Sequence, residues 1–185
     1  MTNIPLDKSK FDNSWYKPGP FWKRAIWYIV NNLVFVNPFF PFTAIKPIIL
    51  RIFGAKVGRH CLIKPSVNIK YPWFLHIGDR VGIGEGVWID NLAQVTLEDQ
   101  VTLSQGVLLL TGNHDYKAAS FDLMLGPISI GKGAWIGAKV KIGPDVTIGE
   151  MAVASFGSVI TKDCEPFGIY YGNPAILIRK REIKA

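Results

Sequence analysis

The sequence is poor in the residues that small proteins use for cross-linking or metal binding. Its 185 residues include only two cysteines and three histidines, and 19% of the residues are charged. Cys61 and Cys164 cannot build a disulfide framework, so we expect a reducing compartment. No two histidines have the H-x₃₋₅-H spacing of a zinc site. The longest apolar stretches, 25–35 and 45–53, are interrupted or too short for a spanning helix of about 20 residues.

Other absences narrow the class of protein further. No charged segment followed by an apolar stretch opens the chain, so we expect no signal peptide and a cytoplasmic location. The net charge is +7, but the basic residues are scattered apart from a cluster at 179–181. No helix-turn-helix, zinc-finger or RNA-recognition pattern accompanies them, so we expect no nucleic-acid partner. The twelve prolines exclude a long coiled coil.

The chain divides near residue 56. Residues 1–20 are polar and contain Pro18-Gly19-Pro20, which predicts an extended arm. Helical spacing of apolar residues predicts a helix over 21–36 and a short one over 47–53, both rich in aromatic or aliphatic side chains. This segment, 1–56, would either cap the main domain or contact a membrane surface through residues 21–53. We expect the catalytic domain over 57–165 and a C-terminal extension over 166–185.

From residue 57 a six-residue repeat replaces the helical pattern. Aliphatic or small residues recur at position 57 and at these positions: Ile63, Ile69, Ile77, Ile83, Ile89, Val95, Leu97, Leu103, Leu109, Ile130, Ile136, Ile142, Ile148, Ala154 and Ile160. A small residue usually stands four positions after each, and a glycine often follows directly. A period of six fits a short strand and a turn, with three such units to one coil. The repeat therefore predicts an all-β solenoid whose coils stack as parallel sheets.

One long interruption separates Leu109 from Ile130. It contains the run TGNHDY (111–116), and we expect a loop near 112–128. Long excursions from a regular scaffold are usually functional, so His114 at its base is the best catalytic candidate. Asp115 is the nearest group in sequence that could orient the imidazole, and a backbone carbonyl would serve equally well.

The repeat, the TGNHDY run, the later PISIGKGAWIGA and the terminal GNPA (172–175) resemble the hexapeptide acyltransferases, in particular their sugar O-acetyltransferase branch. The runs LRIFGAKVG (50–58) and PWFLHIG (72–78) and Ser104-Gln105 are most similar to the colanic acid biosynthesis acetyltransferases. The resemblance implies a left-handed parallel β-helix, a homotrimer with sites between subunits, and acetyl-CoA as the acyl donor without a metal. It also implies an enzyme that acetylates a sugar or lipid-linked oligosaccharide for cell-surface polysaccharide.

The resemblance also assigns roles to residues. His114 would be the general base that takes the proton of the attacking sugar hydroxyl. The donor-binding positions would be Trp135, Ala138, Phe156, Thr161, Lys162 and Arg179. On the acceptor side, Gly84 stands where some relatives bind substrate, and Asp90, Asn91 and Asp115 are candidates to bind a hydroxyl group.

Three alternatives stay open at this point. The γ-class carbonic anhydrases share the β-helix and bind zinc through three histidines, but the spacing of His60, His76 and His114 differs from their pattern. An acetyltransferase could instead use another acceptor, such as serine, an amino sugar or an antibiotic. A β-helix without catalytic activity, used for assembly, is the third alternative.

Overall fold

Three parallel β-sheets form the sides of the main body in a computed structural model that describes residues 5–183. Sheet A contains β1 (Lys56–Val57), β4 (Leu75–Ile77), β7 (Val95–Leu97), β12 (Ile128–Ile130) and β15 (Val146–Ile148). Sheet B contains β2 (Leu62–Ile63), β5 (Gly82–Ile83), β8 (Thr102–Leu103), β13 (Trp135–Ile136), β16 (Val153–Ala154), β18 (Gly168–Gly172) and β19 (Ala175–Lys180). Sheet C contains β3 (Asn68–Ile69), β6 (Trp88–Asp90), β9 (Leu108–Leu110), β14 (Lys141–Ile142) and β17 (Val159–Ile160).

The chain passes from sheet A to sheet B to sheet C and then starts the next coil. Each repeat position therefore stacks on its equivalent one coil away, as in the sheet B column Ile63, Ile83, Leu103, Ile136 and Ala154. All five side chains are buried. A parallel sheet buries its apolar side chains only when coils stack, so stability grows with the number of coils. The predicted parallel β-solenoid is confirmed.

The corners between sheets require backbone conformations with positive φ. Gly86, Gly106 and Gly157 each have a positive φ at the corner from sheet B to sheet C. At Gly106 a side chain would also collide with Lys139, whose aliphatic stem lies 2.8 Å from the position of a β-carbon. Glycine at this position lets Lys139 lie across the corner.

The N-terminal segment covers the open end of the first coil. Helix α1 (Phe21–Val30) continues as a wider π-helical stretch, Asn31–Val36, and α2 spans Lys46–Ile52. The helix predicted over 21–36 is therefore present but changes its winding at Asn31. No helix within residues 5–183 is both long and apolar enough to cross a membrane.

Side chains of this segment bind the free edge of each sheet. Trp27 Nε1 donates to the Ile69 carbonyl at 2.8 Å, on the edge of sheet C. The buried Lys46 Nζ donates to the Lys64 carbonyl at 2.8 Å, beside the edge strand of sheet B. Arg51 Nε donates to a carbonyl of β1 in sheet A at 2.9 Å. Open sheet edges invite aggregation, so these contacts seal the first coil.

The last hairpin extends sheet B beyond the repeats. Strand β18 pairs parallel with β16, and β19 pairs antiparallel with β18. The run 172–175 forms the turn between the two strands. The six-residue repeat does not extend to this pairing, because β18 and β19 are longer than the strands of the coils.

Candidate active site

The breaks in the six-residue repeat all lie at one corner, between sheets C and A. They occur at 70–74, 90–94 and 110–127, which follow β3, β6 and β9 in turn. Neighbouring breaks are tied together, since Thr111 Oγ1 donates to the Asp90 carbonyl at 3.0 Å and accepts from the Ala93 N–H. The interruption that carries His114 therefore grows from a corner that is irregular over several coils.

The interruption is a β-hairpin, not an irregular loop. Strands β10 (Gly112–His114) and β11 (Leu123–Leu125) pair antiparallel, with His114 opposite Leu123. The prediction of a long excursion near 112–128 is confirmed, and its hairpin form was not foreseen. A β-carbon at Gly112 would meet the end of the Leu92 side chain of the preceding coil at 2.6 Å, so a larger residue here would require Leu92 to move. The base of the hairpin therefore packs closely on the preceding coil.

His114 is held by Phe121 of the same hairpin. The two rings stack with centroids 4.4 Å apart and planes 6° from parallel. His114 Nδ1 also lies 3.0 Å from the Phe121 carbonyl oxygen. A carbonyl oxygen only accepts, so Nδ1 carries the proton in this contact, and in the neutral imidazole Nε2 then has the lone pair. The imidazole is thereby oriented as a base that acts through Nε2.

The N-terminal arm packs on this hairpin. Asp7 N–H donates to the Ala119 carbonyl at 2.8 Å, and the Phe11 ring lies 5.9 Å from the His114 ring. Further along the arm, Tyr16 donates its hydroxyl proton to the Leu92 carbonyl at 2.8 Å. The arm thus runs from the corner of the solenoid to the ring of His114. This long-range contact had no signal in the sequence.

The predicted acceptor residues at this corner have different surroundings. Asp115 accepts from the Lys117 and Ala118 N–H groups at 3.0 and 3.3 Å, so it closes a turn and does not orient His114. Asn91 is buried, and its amide bonds the backbone of Tyr71 and Phe74. The Asn91 amide therefore holds the coil together and is not available to bind a sugar hydroxyl.

Asp90 lies one coil below the base of the hairpin, opposite Leu110. Its Oδ1 lies 3.0 Å from Lys70 Nζ, within ion-pair distance, although the two are not aligned for a hydrogen bond. The nearby Tyr16 has a raised pKa, chiefly because it is partly buried and further because Tyr71 and Asp90 lie close to it. This corner therefore combines the Asp90 side chain with the phenol of Tyr16, which stays neutral.

An open groove of ≈ 500 Å³ lies at a different corner, between sheets B and C. Its lining includes three predicted donor-binding residues, Trp135, Ala138 and Phe156. Trp135 and Phe156 are 49% and 71% exposed, and Trp135 Nε1 donates to Ser104 Oγ at 2.9 Å. Exposed aromatic side chains that line a groove suit a long, flexible ligand.

The other predicted donor residues do not line this groove. Thr161 and Lys162 follow β17, at the corner between sheets C and A, and Arg179 is exposed on β19. Two basic residues that the sequence analysis did not select, Lys139 and Lys141, line a neighbouring groove of ≈ 550 Å³ over sheet C. Both residues closely follow Ala138 in the sequence, and this position was the signal that could have identified them. Residues two apart in an extended segment have side chains on the same face.

Gly84 lies at the groove's corner, one coil from Ser104. A β-carbon at Gly84 would come within 2.8 Å of the Leu103 carbonyl oxygen. Any side chain here would need the next coil to move, so glycine keeps the corner narrow.

The groove and His114 are separated by the width of sheet C within one chain. His114 extends from the edge where sheet C meets sheet A, and the groove lies where sheet B meets sheet C. A single chain therefore does not bring the predicted base and the predicted donor groove together.

The cysteines and histidines form no second reactive centre in the part of the chain that the structure describes. Burial raises the pKa of the Cys164 thiol to about 12, and it also raises the pKa of Cys61. Neither thiol is a thiolate at neutral pH. Over residues 5–183 no three histidine, cysteine or carboxylate side chains gather as a set of metal ligands.

Sequence comparison identifies a relative that spans almost the whole chain. The Escherichia coli protein named colanic acid biosynthesis acetyltransferase WcaF is 34% identical over 166 residues, which cover 90% of this chain and 91% of that protein. The chain belongs to the hexapeptide-repeat acetyltransferase family. The family resemblance predicted from its motifs is confirmed, and the protein is an acyltransferase. No protein-family model matches the chain.

Solved structures of hexapeptide-repeat acetyltransferases share the fold. The Vibrio cholerae acetyltransferase VCA0836, complexed with acetyl coenzyme A, superimposes with a TM-score of 0.79 at 24% identity and covers 88% of each chain. A galactoside acetyltransferase in complex with coenzyme A has a TM-score of 0.77 at 28% identity, covering 86% of this chain and 80% of the other. The parallel β-solenoid with its short N-terminal helical segment thus belongs to a known architecture.

Proposed function

We propose that the protein is a cytoplasmic enzyme that transfers the acetyl group of acetyl-CoA to a hydroxyl group of a sugar destined for cell-surface polysaccharide. The observation that carries the proposal is the fixed orientation of His114 at the end of strand β10, with its Nδ1 held by the Phe121 carbonyl, in the only hairpin that interrupts the coils within residues 5–183. The names of its relatives support the reaction, since one is a galactoside acetyltransferase bound to coenzyme A and another is named for colanic acid biosynthesis.

The chemistry requires one base and no covalent enzyme intermediate. His114 Nε2 removes the proton from the sugar hydroxyl as its oxygen attacks the carbonyl carbon of the thioester. The carbon–sulfur bond then breaks, and the imidazolium returns the proton to the CoA thiolate. The products are an acetyl ester and free CoA. Direct transfer is favoured over a thioester on the enzyme because burial keeps both cysteines protonated.

The donor would lie in the groove beside Trp135, Ala138 and Phe156. Its phosphates carry several negative charges, and Lys139, at the corner between sheets B and C, would neutralise part of them. Thr161, Lys162 and Arg179 lie outside the groove in one chain, so any contact they make with the donor would come from a neighbouring subunit or from the donor's far end.

A homotrimer would join the two separated parts of the site. If sheet C of each subunit faced the three-fold axis, its two edges would meet the opposite edges of its neighbours. The hairpin carrying His114 would then reach the groove of the next subunit. The outer face of sheet C is partly apolar, with Trp88 opposite Leu108 and Lys141 opposite Val159. Trp88 is 46% exposed, which suits a surface that is buried on assembly.

The acceptor would bind where the hairpin meets the neighbour's corner around Gly84. Asp90 remains the candidate to accept a hydrogen bond from a sugar hydroxyl, because it is the carboxylate nearest the base of the hairpin on the preceding coil. Asp115 is a weaker candidate, since its carboxylate already accepts two backbone N–H groups.

Mass spectrometry of acceptor mixtures tests the proposal. Purified enzyme would be incubated with acetyl-CoA and pools of oligosaccharides, amino sugars, serine and aminoglycosides. We expect acetyl esters on oligosaccharides with the wild-type enzyme and with His60→Asn, a matched control at an exposed corner. We expect the rate of ester formation to fall roughly 10²- to 10⁴-fold with His114→Ala. Acetylation of amino groups or of serine alone would replace the sugar assignment, and no transfer to any acceptor would favour the assembly protein.

A further inference from the structure

The outer face of the N-terminal cap is apolar although it lies in solvent. Along α1 and its continuation, Trp22, Ile26, Ile29 and Leu33 are 64%, 48%, 57% and 63% exposed. Their spacing places them on one side of the helix. The opposite side is buried against the solenoid, as Trp27 at 2% exposure shows. A helix that is apolar on both sides normally has a partner on each.

The second helix and the linker continue this surface. Ile48 and Ile52 on α2 are 52% and 75% exposed, and Phe39 and Phe42 before it are 90% and 66% exposed. Both helices cap the same open end of the first coil through their buried sides. Their exposed sides therefore face away from that end of the solenoid. We call these exposed apolar residues of 21–52 the end surface.

The stretch of chain that forms the end surface carries charge of a single sign. The sequence has no aspartate or glutamate between Asp12 and Asp79, although the whole chain has 14 acidic residues. Over the same stretch the basic residues are Lys17, Lys23, Arg24, Lys46, Arg51, Lys56, Arg59, Lys64 and Lys70. Lys46 is buried and Lys70 lies 3.0 Å from Asp90, whereas Lys17, Lys56, Arg59 and Lys64 are exposed. This end of the molecule therefore presents positive charge around an apolar face.

We propose that the end surface docks on an anionic lipid bilayer. Apolar and aromatic side chains would enter the boundary between headgroups and acyl chains, while the surrounding lysines and arginines would contact anionic headgroups. A protein interface is a poorer match, because the cores of such interfaces are depleted in lysine and this surface has no acidic residues to pair across it. Docking would bring the proposed acetyltransferase close to acceptors that are carried on lipid, but it does not depend on that activity.

Sedimentation with vesicles tests the proposal on the full chain. Vesicles of phosphatidylcholine alone would be compared with vesicles that also contain phosphatidylglycerol, at low and high salt. The test variant is Ile26→Glu with Ile29→Glu, and its matched control is Ile176→Glu with Ile178→Glu on the exposed last strand. We expect the wild type and the control to bind anionic vesicles and salt to weaken this binding. The test variant should lose at least about tenfold in vesicle affinity.

Tryptophan fluorescence gives an independent reading. Trp22 is exposed, so its emission should shift to shorter wavelength when anionic vesicles are added, and Trp22→Phe should remove that part of the shift. Thermal melts would show that the test variant is folded. The proposal is overturned if the wild type does not bind anionic vesicles, or if the test variant binds as well as the wild type. It is also overturned if the test variant changes the oligomeric state in light scattering and leaves vesicle binding intact, which would assign the end surface to a protein interface.

Discussion

Replacing Phe121 by alanine should weaken catalysis without abolishing it. The substitution removes the ring that stacks on His114 at 4.4 Å but keeps the backbone carbonyl 3.0 Å from Nδ1. A stacked aromatic pair contributes about 0.5–1.5 kcal/mol. If this energy orients the imidazole, kcat should fall roughly 2- to 10-fold, since about 1.4 kcal/mol corresponds to a factor of ten. The KM for acetyl-CoA should stay nearly constant, because Phe121 is not among the residues that line the donor groove.

The assay would follow release of the CoA thiol with the acceptor identified by mass spectrometry. Phe121→Tyr is the matched control, because it keeps the ring and should retain nearly full activity. Phe11→Ala would test the second ring near His114, and its longer centroid distance of 5.9 Å predicts a smaller loss. A loss with Phe121→Ala as large as that with His114→Ala would refute an orienting role for the stack, and so would full activity.

Three further predictions concern the groove, the assembly and the thiols. Trp135→Ala should raise the KM for acetyl-CoA about tenfold and change kcat much less, measured by steady-state kinetics, because the side chain lines the proposed donor groove. His114→Ala chains and Ala138→Trp chains should each be inactive alone. If sites form between subunits, their co-expression should restore up to about a quarter of wild-type activity. No rescue in confirmed mixed trimers would contradict shared sites. Alkylation of the native enzyme at pH 8 should leave Cys164 unmodified and activity intact, because burial raises the pKa of that thiol to about 12. Peptide mass spectrometry would measure the labelling.

The sequence predicted the coils well because one physical requirement repeats through them. Each interior column of the solenoid needs an aliphatic side chain in every coil, so Ile69, Ile89, Leu109, Ile142 and Ile160 occupy equivalent positions on sheet C. Local regularity of this kind is visible in one sequence. The corner between sheets C and A could also have been found, since the repeat loses its register there in successive coils.

Contacts between distant parts of the chain were beyond the sequence. The N-terminal arm could be recognised only by its polar composition. No feature near Phe11 indicated that this residue would lie beside His114. The sequence also did not identify the residues that bind the acceptor, because a short polar pair such as Asp90-Asn91 can either bind a substrate or form a corner of the coil. The structure separates these roles, with Asn91 buried and Asp90 beside Lys70 at 3.0 Å. The structure shows the capping alternative for residues 21–53 on one side of the helices, and the membrane alternative remains a proposal for their other side.

The most direct test of the account compares acetyl transfer by the wild type and His114→Ala with one defined oligosaccharide acceptor. Calorimetry would measure acetyl-CoA binding on the same preparations. If His114 is the general base, kcat should fall roughly 10²- to 10⁴-fold while the Kd for acetyl-CoA changes by less than about threefold. Turnover by His114→Ala close to that of the wild type would contradict the account.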